Sequence, residues 1–279
     1  MNNERLGEIR NNKFGTPMKI IRYGCYNDID VEFLDENHYI KEHNTYSNFK
    51  TGGIKNPYDK TLFGVGYVGV GEHMTGFPKV GMTEEYHCWQ NMLERCYCEK
   101  SRELHPTYYE ISTVCDEWHN YQNFASWHKE HKYKTNERLH LDKDILFAGN
   151  KEYSSSKCLL VPQRLNMMFM NKYNNRGLPN GIFQYKGGYL AKYDGEKIGV
   201  FSTVEEAYIE HTKRKKEAIE KLANEYKNII PKEVYNAVMS YEFRIENDKN
   251  YRKCFWNNYS TVYVKRYRLF SIAFICTRN

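Results

Sequence analysis

Long apolar runs are missing. No stretch reaches the ~18 residues that a bilayer-spanning helix needs, so a membrane protein is not expected. The opening, MNNERLGEIRNNK, has no apolar signal-peptide core, and a cytoplasmic location is the expectation. Paired Cys-x2-Cys knuckles are missing too. Eight cysteines are scattered along the chain, and Cys96, Cys98, Cys115 and His119 lack the spacing of a structural zinc site. Reduced thiols are expected, and zinc is not. A charge excess is absent over most of the length. Arg252, Lys253, Lys265, Arg266, Arg268 and Arg278, with no acid among residues 251–279, account for the whole net charge of +6. Residues 1–250 therefore sum to zero, which argues against coating nucleic acid by bulk charge. Local basic faces can still hold phosphates.

A dinucleotide loop is matched only in letters. Gly64-Val-Gly66-Tyr-Val-Gly69 has the spacing G-x-G-x-x-G, but Gly71, Gly76 and Pro78 forbid the helix whose N-terminus would face pyrophosphate. A glycine-rich connector is expected there, and no nucleotide cofactor.

What is present is a globular composition, 41% hydrophobic and 27% charged. The 279 residues suffice for two or three modest domains. Tyrosine is abundant, at 25 residues, and suits small domains with wet binding faces because it joins an apolar body to a polar tip.

In order, residues 14–58 suggest a small β module, with strands at Met18–Tyr23 and Ile29–Phe33 and a third run at His38–Ile40. A helix is expected from Thr83 to Cys98, with Trp89, Met92, Leu93 and Cys96 on its core face, and a second from Asp116 to His131. Three strands follow at 181–185, 189–193 and 197–201. A helix at 203–228 comes next, opened by a capping box of Ser202 and Glu205. Pro231 starts a further short helix. The tail from Lys249 is basic and aromatic, either a nucleic-acid arm or an extension without order.

The stretch Arg138–Asn166 organises the rest. A strand over Leu139–Phe147 sends His140, Asp142 and Asp144 to one face. Gly149 and Asn150 form a corner, Cys158–Val161 a short apolar strand, and Pro162 opens a helix bearing Gln163 and Asn166. Carboxylates and amides converging in this way suit a divalent metal and a phosphate. The structural alternative is that Asp142 and Asp144 cap turns, or pair with Lys143 and Lys151.

Two regions resemble known families. Trp89-x-x-Met-Leu-x-Arg95-Cys-Tyr97, Trp118, Phe124-Ala-x-Trp127, Leu141-Asp-Lys-Asp-Ile-Leu, Gly149-Asn-Lys-x-Tyr-Ser154, Cys158 and Val161-Pro-Gln-x-x-Asn166 resemble the HNH-like endonucleases of bacteriophages. Gly181-Ile-Phe, Tyr189-Leu-Ala191-Lys-Tyr, Ile198-Gly-Val-Phe201 and Thr203-x-Glu-Glu-Ala207-Tyr are similar to the AP2/ERF-type DNA-binding domain. The first resemblance implies a ββα-metal fold around one divalent ion. The second implies a three-stranded sheet laid in the DNA major groove and braced by a helix.

The expected architecture is α+β and multi-domain: a β module at 1–62, an HNH-like core at 63–172, an AP2-like domain at 173–248 and the tail at 249–279. The expected activity is hydrolysis of double-stranded DNA with Mg2+ or a similar cation. Asp142, Asp144 and Asn166 are the expected ligands, His140 the base, and Asn150 the residue orienting phosphate. An HNH nuclease places a His where this chain has Asp142. Three readings follow: His140 as base, Asp142 as a weak base given an ordinary pKa of about 3.9, or an inactive fold that only binds DNA. On the AP2-like sheet, Ala191, Tyr193 and Tyr189 are expected to face the helix. Asn180, Tyr185, Lys186, Lys192 and Lys197 are expected to face DNA.

Overall fold

Strand alternation builds the first layer. The computed structural model describes residues 3–101 and 111–251. Met18 and Ile20 on β2 (Pro17–Cys25), and Ile29, Val31 and Phe33 on β3 (Asp28–Phe33), point to one buried face at period two. With β1 (Ile9–Asn11) and β4 (Ile40–Asn44) they form an antiparallel sheet in the order β1-β2-β3-β4. Helix α1 (Tyr46–Lys50), capped by the Thr45 hydroxyl, drops Phe49 onto that face. The third run starts later than its residue types suggest. His38 adopts a φ of 46°, so it turns the chain and the strand begins at Ile40.

The described residues divide into two compact units. One holds the residues up to Asn166 together with Tyr226–Val238; the other holds Met167–Glu225 and the residues from Met239 on. The α+β class is as expected, with helices among several small sheets.

The larger core of the first unit gathers around aromatics. Helix α2 (Glu84–Tyr97) is capped by Thr83 and buries Trp89, Met92, Leu93 and Cys96 at helical spacing. The second expected helix is split: a 3-10 turn at Asp116–His119, then α3 (Tyr121–His131) capped by Asn120. Trp89 Nε1 donates to the Trp118 carbonyl at 2.7 Å, satisfying the indole inside the core. The connector contains no helix. Its Gly66 lies so close to α2 that a Cβ there would come 2.5 Å from the Leu93 side chain. Residues 76–82 form a short hairpin, β5 (Gly76–Phe77) and β6 (Gly81–Met82). Two-residue strands β7 (Thr113–Val114) and β9 (Glu152–Tyr153) pair in parallel.

The stretch 138–166 is a hairpin and helix with shorter strands than expected. Strand β8 (Leu139–Asp142) pairs antiparallel with β10 (Leu159–Pro162), His140 opposite Val161 and Asp142 opposite Leu159. The expected strand to Phe147 ends at Asp142, because the Asp142 carboxylate turns the chain there. Pro162 closes β10 rather than opening the helix, and α4 (Gln163–Phe169) starts one residue later.

The second unit holds β11 (Ile182–Tyr185), β12 (Gly188–Tyr193) and β13 (Glu196–Phe201) in order, braced by α5 (Val204–Glu225). Ile182, Ala191 and Ala207 form its centre, with Tyr189, Ile198 and Phe201 around them. Gly181, at a φ of 82°, is required, since a Cβ would fall 2.2 Å from the His211 ring. The capping box is shifted by one residue. Glu206 N donates to Thr203 Oγ1 at 3.1 Å, and Glu206 Oε2 accepts from the Thr203 amide at 3.2 Å. Thr203, not Ser202, is the cap because the chain becomes helical at Val204. Helix α6 (Lys232–Ser240), which belongs to the first unit as far as Val238, follows Pro231 and buries Val234 and Val238. Of the expected basic tail, residues 252–279 lie outside the described residues.

Candidate functional site

On β8, Leu139 and Leu141 turn into the aromatic core. Alternation therefore puts Arg138, His140 and Asp142 on the other face. Helix α4 then brings Asn166 over it. Asn166 Nδ2 lies 3.4 Å from His140 Nδ1, and Asn166 Oδ1 is buried without a hydrogen-bond partner among the described residues. Burial, then the charges of Arg138 and Arg95, lowers the pKa of His140. The ring is neutral at pH 7, so one of its nitrogens is a proton acceptor.

Asp142 and Asp144 do not act as a pair. Asp142 Oδ1 accepts from the backbone amides of Asp144 at 2.8 Å and Ile145 at 2.7 Å, an Asx turn. Its other oxygen takes no hydrogen bond among the described residues. Burial, and next the neighbouring Asp144, pushes Asp142 up to about 6. That removes the expected mismatch with neutral pH. Asp144 is held by the buried Lys143, whose Nζ donates to both carboxylate oxygens at 2.8 and 2.9 Å and to the Asn150 carbonyl at 2.8 Å. Asp144 therefore drops out as a ligand.

Asn150 drops out as a phosphate-orienting group. Its Nδ2 donates to the carbonyls of Lys143 at 2.8 Å and Glu152 at 2.7 Å, while its Oδ1 accepts from the Glu152 amide at 3.1 Å. The side chain is spent on pinning the loop between β8 and β9. Of the expected cation ligands, Asp142 Oδ2 and Asn166 Oδ1 remain. Two oxygens suit a cation that keeps most of its waters, as Mg2+ does, and do not suit an all-protein cage.

One three-member group of His and carboxylate atoms within 4.8 Å of one another occurs among the described residues: Asp28, Asp30 and His43, in the first sheet. Arg22 already occupies it, 2.7 Å from Asp28 and 2.8 Å from Asp30. The guanidinium is the cation those carboxylates hold.

Arg138 meets a set of residues given no role from the sequence. His87, Asn91 and Arg95 recur every four residues along one side of α2. Arg138 Nη2 and Asn91 Nδ2 both approach His87 Nδ1, at 3.2 and 3.0 Å. The signal was available: an i, i+4, i+8 polar stripe on an otherwise core-facing helix, and an arginine two residues before His140 on the same strand face.

In the second unit, Tyr189 and Ala191 face α5 as expected, and the Tyr193 ring meets that of His211 on α5 at 5.8 Å. The opposite sheet face is basic and aromatic. Lys186 and Lys197 each lie 5.6 Å from the Tyr185 ring centre. Lys192 lies 5.7 Å and Arg176 4.6 Å from that of Phe183. Lys192 and Lys197 are direct cross-strand partners, and like charges so placed repel. Arg176 and Phe183 belong to this face though they were not expected there. Asn180 does not belong to it. Its Nδ2 donates to Asn171 Oδ1 at 2.7 Å and to the Lys172 carbonyl at 2.6 Å, and its Oδ1 accepts from Asn174 at 3.1 Å. It fastens the loop entering β11.

Among the described residues no helix is long and apolar enough to cross a membrane. Compared with protein-family models, with curated proteins and with solved structures, the chain matches none.

Proposed function

We propose that this protein is a DNA endonuclease of the HNH type, with its hydrolytic site on β8, β10 and α4 and its DNA reader on the sheet of the second unit. The observation that carries the proposal is the meeting of His140 and Asn166 where a strand hairpin runs into a helix, beside unneutralised arginine charge. His140 is the base. Its Nδ1 is the acceptor of the Asn166 amide, and at 3.4 Å that bond is long enough for a water to compete for the lone pair. The imidazole takes the water's proton as oxygen attacks phosphorus. Asp142 Oδ2 and Asn166 Oδ1 would hold a hydrated divalent cation, which would supply positive charge where negative charge develops as the P–O bond to the leaving group breaks. Asp142 also holds the turn that ends β8, so the base strand and its cap are one device.

The reader binds duplex DNA through Lys186, Lys192, Lys197 and Arg176, with Phe183 and Tyr185 as apolar support. Two lysines facing each other across strands are relieved by a phosphate between them. Incubation with labelled duplex and Mg2+ tests the whole proposal: salt-dependent binding and strand scission are expected, and an inert chain that binds no duplex refutes it.

A second reading is a DNA-binding protein that no longer cuts. The engagement of Asp144 by Lys143 and of Asn150 by the loop favours it, because both leave the site. It gives duplex binding with no scission under any divalent metal.

A further inference from the structure

We infer that the sheet of the second unit selects thymine: Phe183, Leu190 and Val200 form an apolar row that packs on thymine C5-methyl groups in the major groove of duplex DNA. The inference rests on the duplex reading above and adds to it what the sheet reads there.

Register sets the row. Phe183 pairs with Leu190 and Leu190 with Val200, so the three are direct neighbours across β11, β12 and β13. Ile182 and Ala191, each one residue along, lie in the centre beneath α5. Alternation therefore turns Phe183, Leu190 and Val200 away from the helix, onto the face that carries Lys192 and its partner Lys197. With strands about 4.8 Å apart the row is about 10 Å wide, within the ~12 Å of a major groove. Leu190 is buried and makes the floor of the row, while Val200 is 44% exposed. Gly188 keeps Val200 open on one side: a Cβ there would come 3.3 Å from Val200 Cγ1.

The surroundings select an anionic partner with an apolar edge. Arg176 and Lys192 stand 4.6 and 5.7 Å from the Phe183 ring centre, and Lys186 and Lys197 stand beside Tyr185. Among the described residues no acid stands in the rows of this face. Strands β11 and β12 contain none, and Glu196 on β13 pairs with Tyr193, whose ring meets His211 of α5. An apolar row rimmed by cations fits a polyanion whose groove carries methyl groups. On the major-groove edges of the bases the C5-methyl of thymine is the apolar group, and the rest are donors and acceptors. Set against this row, those polar edges would lose water and gain no partner, which is unfavourable. The lysines and Arg176 hold phosphates without regard to sequence, so discrimination falls to the row.

The full chain is titrated by fluorescence anisotropy, without divalent metal, against three duplexes of one length: alternating A·T, the same with deoxyuridine in place of thymidine, and alternating G·C. Uracil pairs as thymine does and lacks only the methyl. The A·T duplex should bind more tightly than the A·U duplex by about 4-fold for each methyl covered, the equivalent of about 0.8 kcal/mol, and more tightly than G·C. Val200→Asn should shrink the A·T to A·U ratio while the slope of log affinity against log salt stays as in the wild type, because the lysines still hold phosphates. The wild-type comparison stands whether or not that variant folds. Equal affinity of the wild type for A·T and A·U overturns the inference and leaves the duplex reader in place, even if A·T still outbinds G·C. A Val200→Asn chain that keeps the full ratio at an unchanged salt slope overturns it too. Binding to none of the three duplexes removes the duplex reading itself, and the inference with it.

Discussion

Replacing Asp142 with Asn removes a charge and keeps the turn. The amide oxygen of Asn can still accept from the backbone amides of Asp144 and Ile145, which lie 2.8 and 2.7 Å from Asp142 Oδ1. What is lost is the ionised carboxylate, which burial and Asp144 disfavour. A carboxyl raised from 3.8 to about 6 in the fold carries about 3 kcal/mol against the ionised form, at 1.36 kcal/mol per pH unit. Because the folded pKa lies above the unfolded one, that stability is fully present below pH 3.8 and is lost as pH rises through about 6. The new amide nitrogen must itself be desolvated, which costs about 1 kcal/mol. Asp142→Asn should therefore stabilise the first unit by about 2 kcal/mol at pH 8 and give no gain at pH 4. Urea unfolding followed by tryptophan emission reads this, since Trp89, Trp118 and Trp127 share a unit with Asp142. With a slope of about 2 kcal/mol/M the midpoint moves up by about 1 M at pH 8. A midpoint that falls at pH 8, or a gain that is the same at both pH values, refutes the reasoning. A carboxylate retained against this cost is what a functional site looks like.

Changing Lys186, Lys192 and Lys197 together to Glu should abolish duplex binding at moderate salt. In a milder Gln series the slope of log affinity against log salt should fall by about 0.9 for each phosphate no longer neutralised, read by fluorescence anisotropy; unchanged binding removes the assigned face. Gly181→Ala puts a methyl 2.2 Å from the His211 ring at a φ of 82° and should destabilise the second unit by about 2–4 kcal/mol, measured as hydrogen-exchange protection of β11 and β12. His211 is buried and donates from Nδ1 to the Lys192 carbonyl at 2.8 Å. Burial lowers its pKa, so its contribution is present above the unfolded value of about 6.5 and is lost as pH falls below it, by up to about 1.4 kcal/mol per pH unit. His211→Gln should flatten that part of the pH profile of the second unit.

Regular patterns were legible in the sequence. β-branched and aromatic residues between turn residues placed β2 and β3, the 3.6-residue period placed α2, and glycine and turn residues placed the three strands at 182–201 to within a residue. Boundaries set by one side chain were not. Asp142 ends β8 because its carboxylate captures two amides, and Thr203 rather than Ser202 caps α5 because the backbone enters the helix one residue later. Residue type alone also overstated the site. Asp144 and Asn150 carry suitable atoms, but partners nearby in sequence, Lys143 and Glu152, claim them first. Arg95 and Arg138 were named in the sequence but given no role, for the opposite reason. Among the described residues neither has a carboxylate partner, while Arg138 meets His87, and partners are visible only in three dimensions.

The most direct measurement is the fate of supercoiled plasmid DNA mixed with the full chain and Mg2+, run beside His140→Ala. Nicking by the wild type, slowed by about 10²-fold or more in the variant as befits loss of a general base, is the result expected. Equal rates for the two proteins contradict the account, as does intact plasmid in the presence of a wild type that still binds duplex.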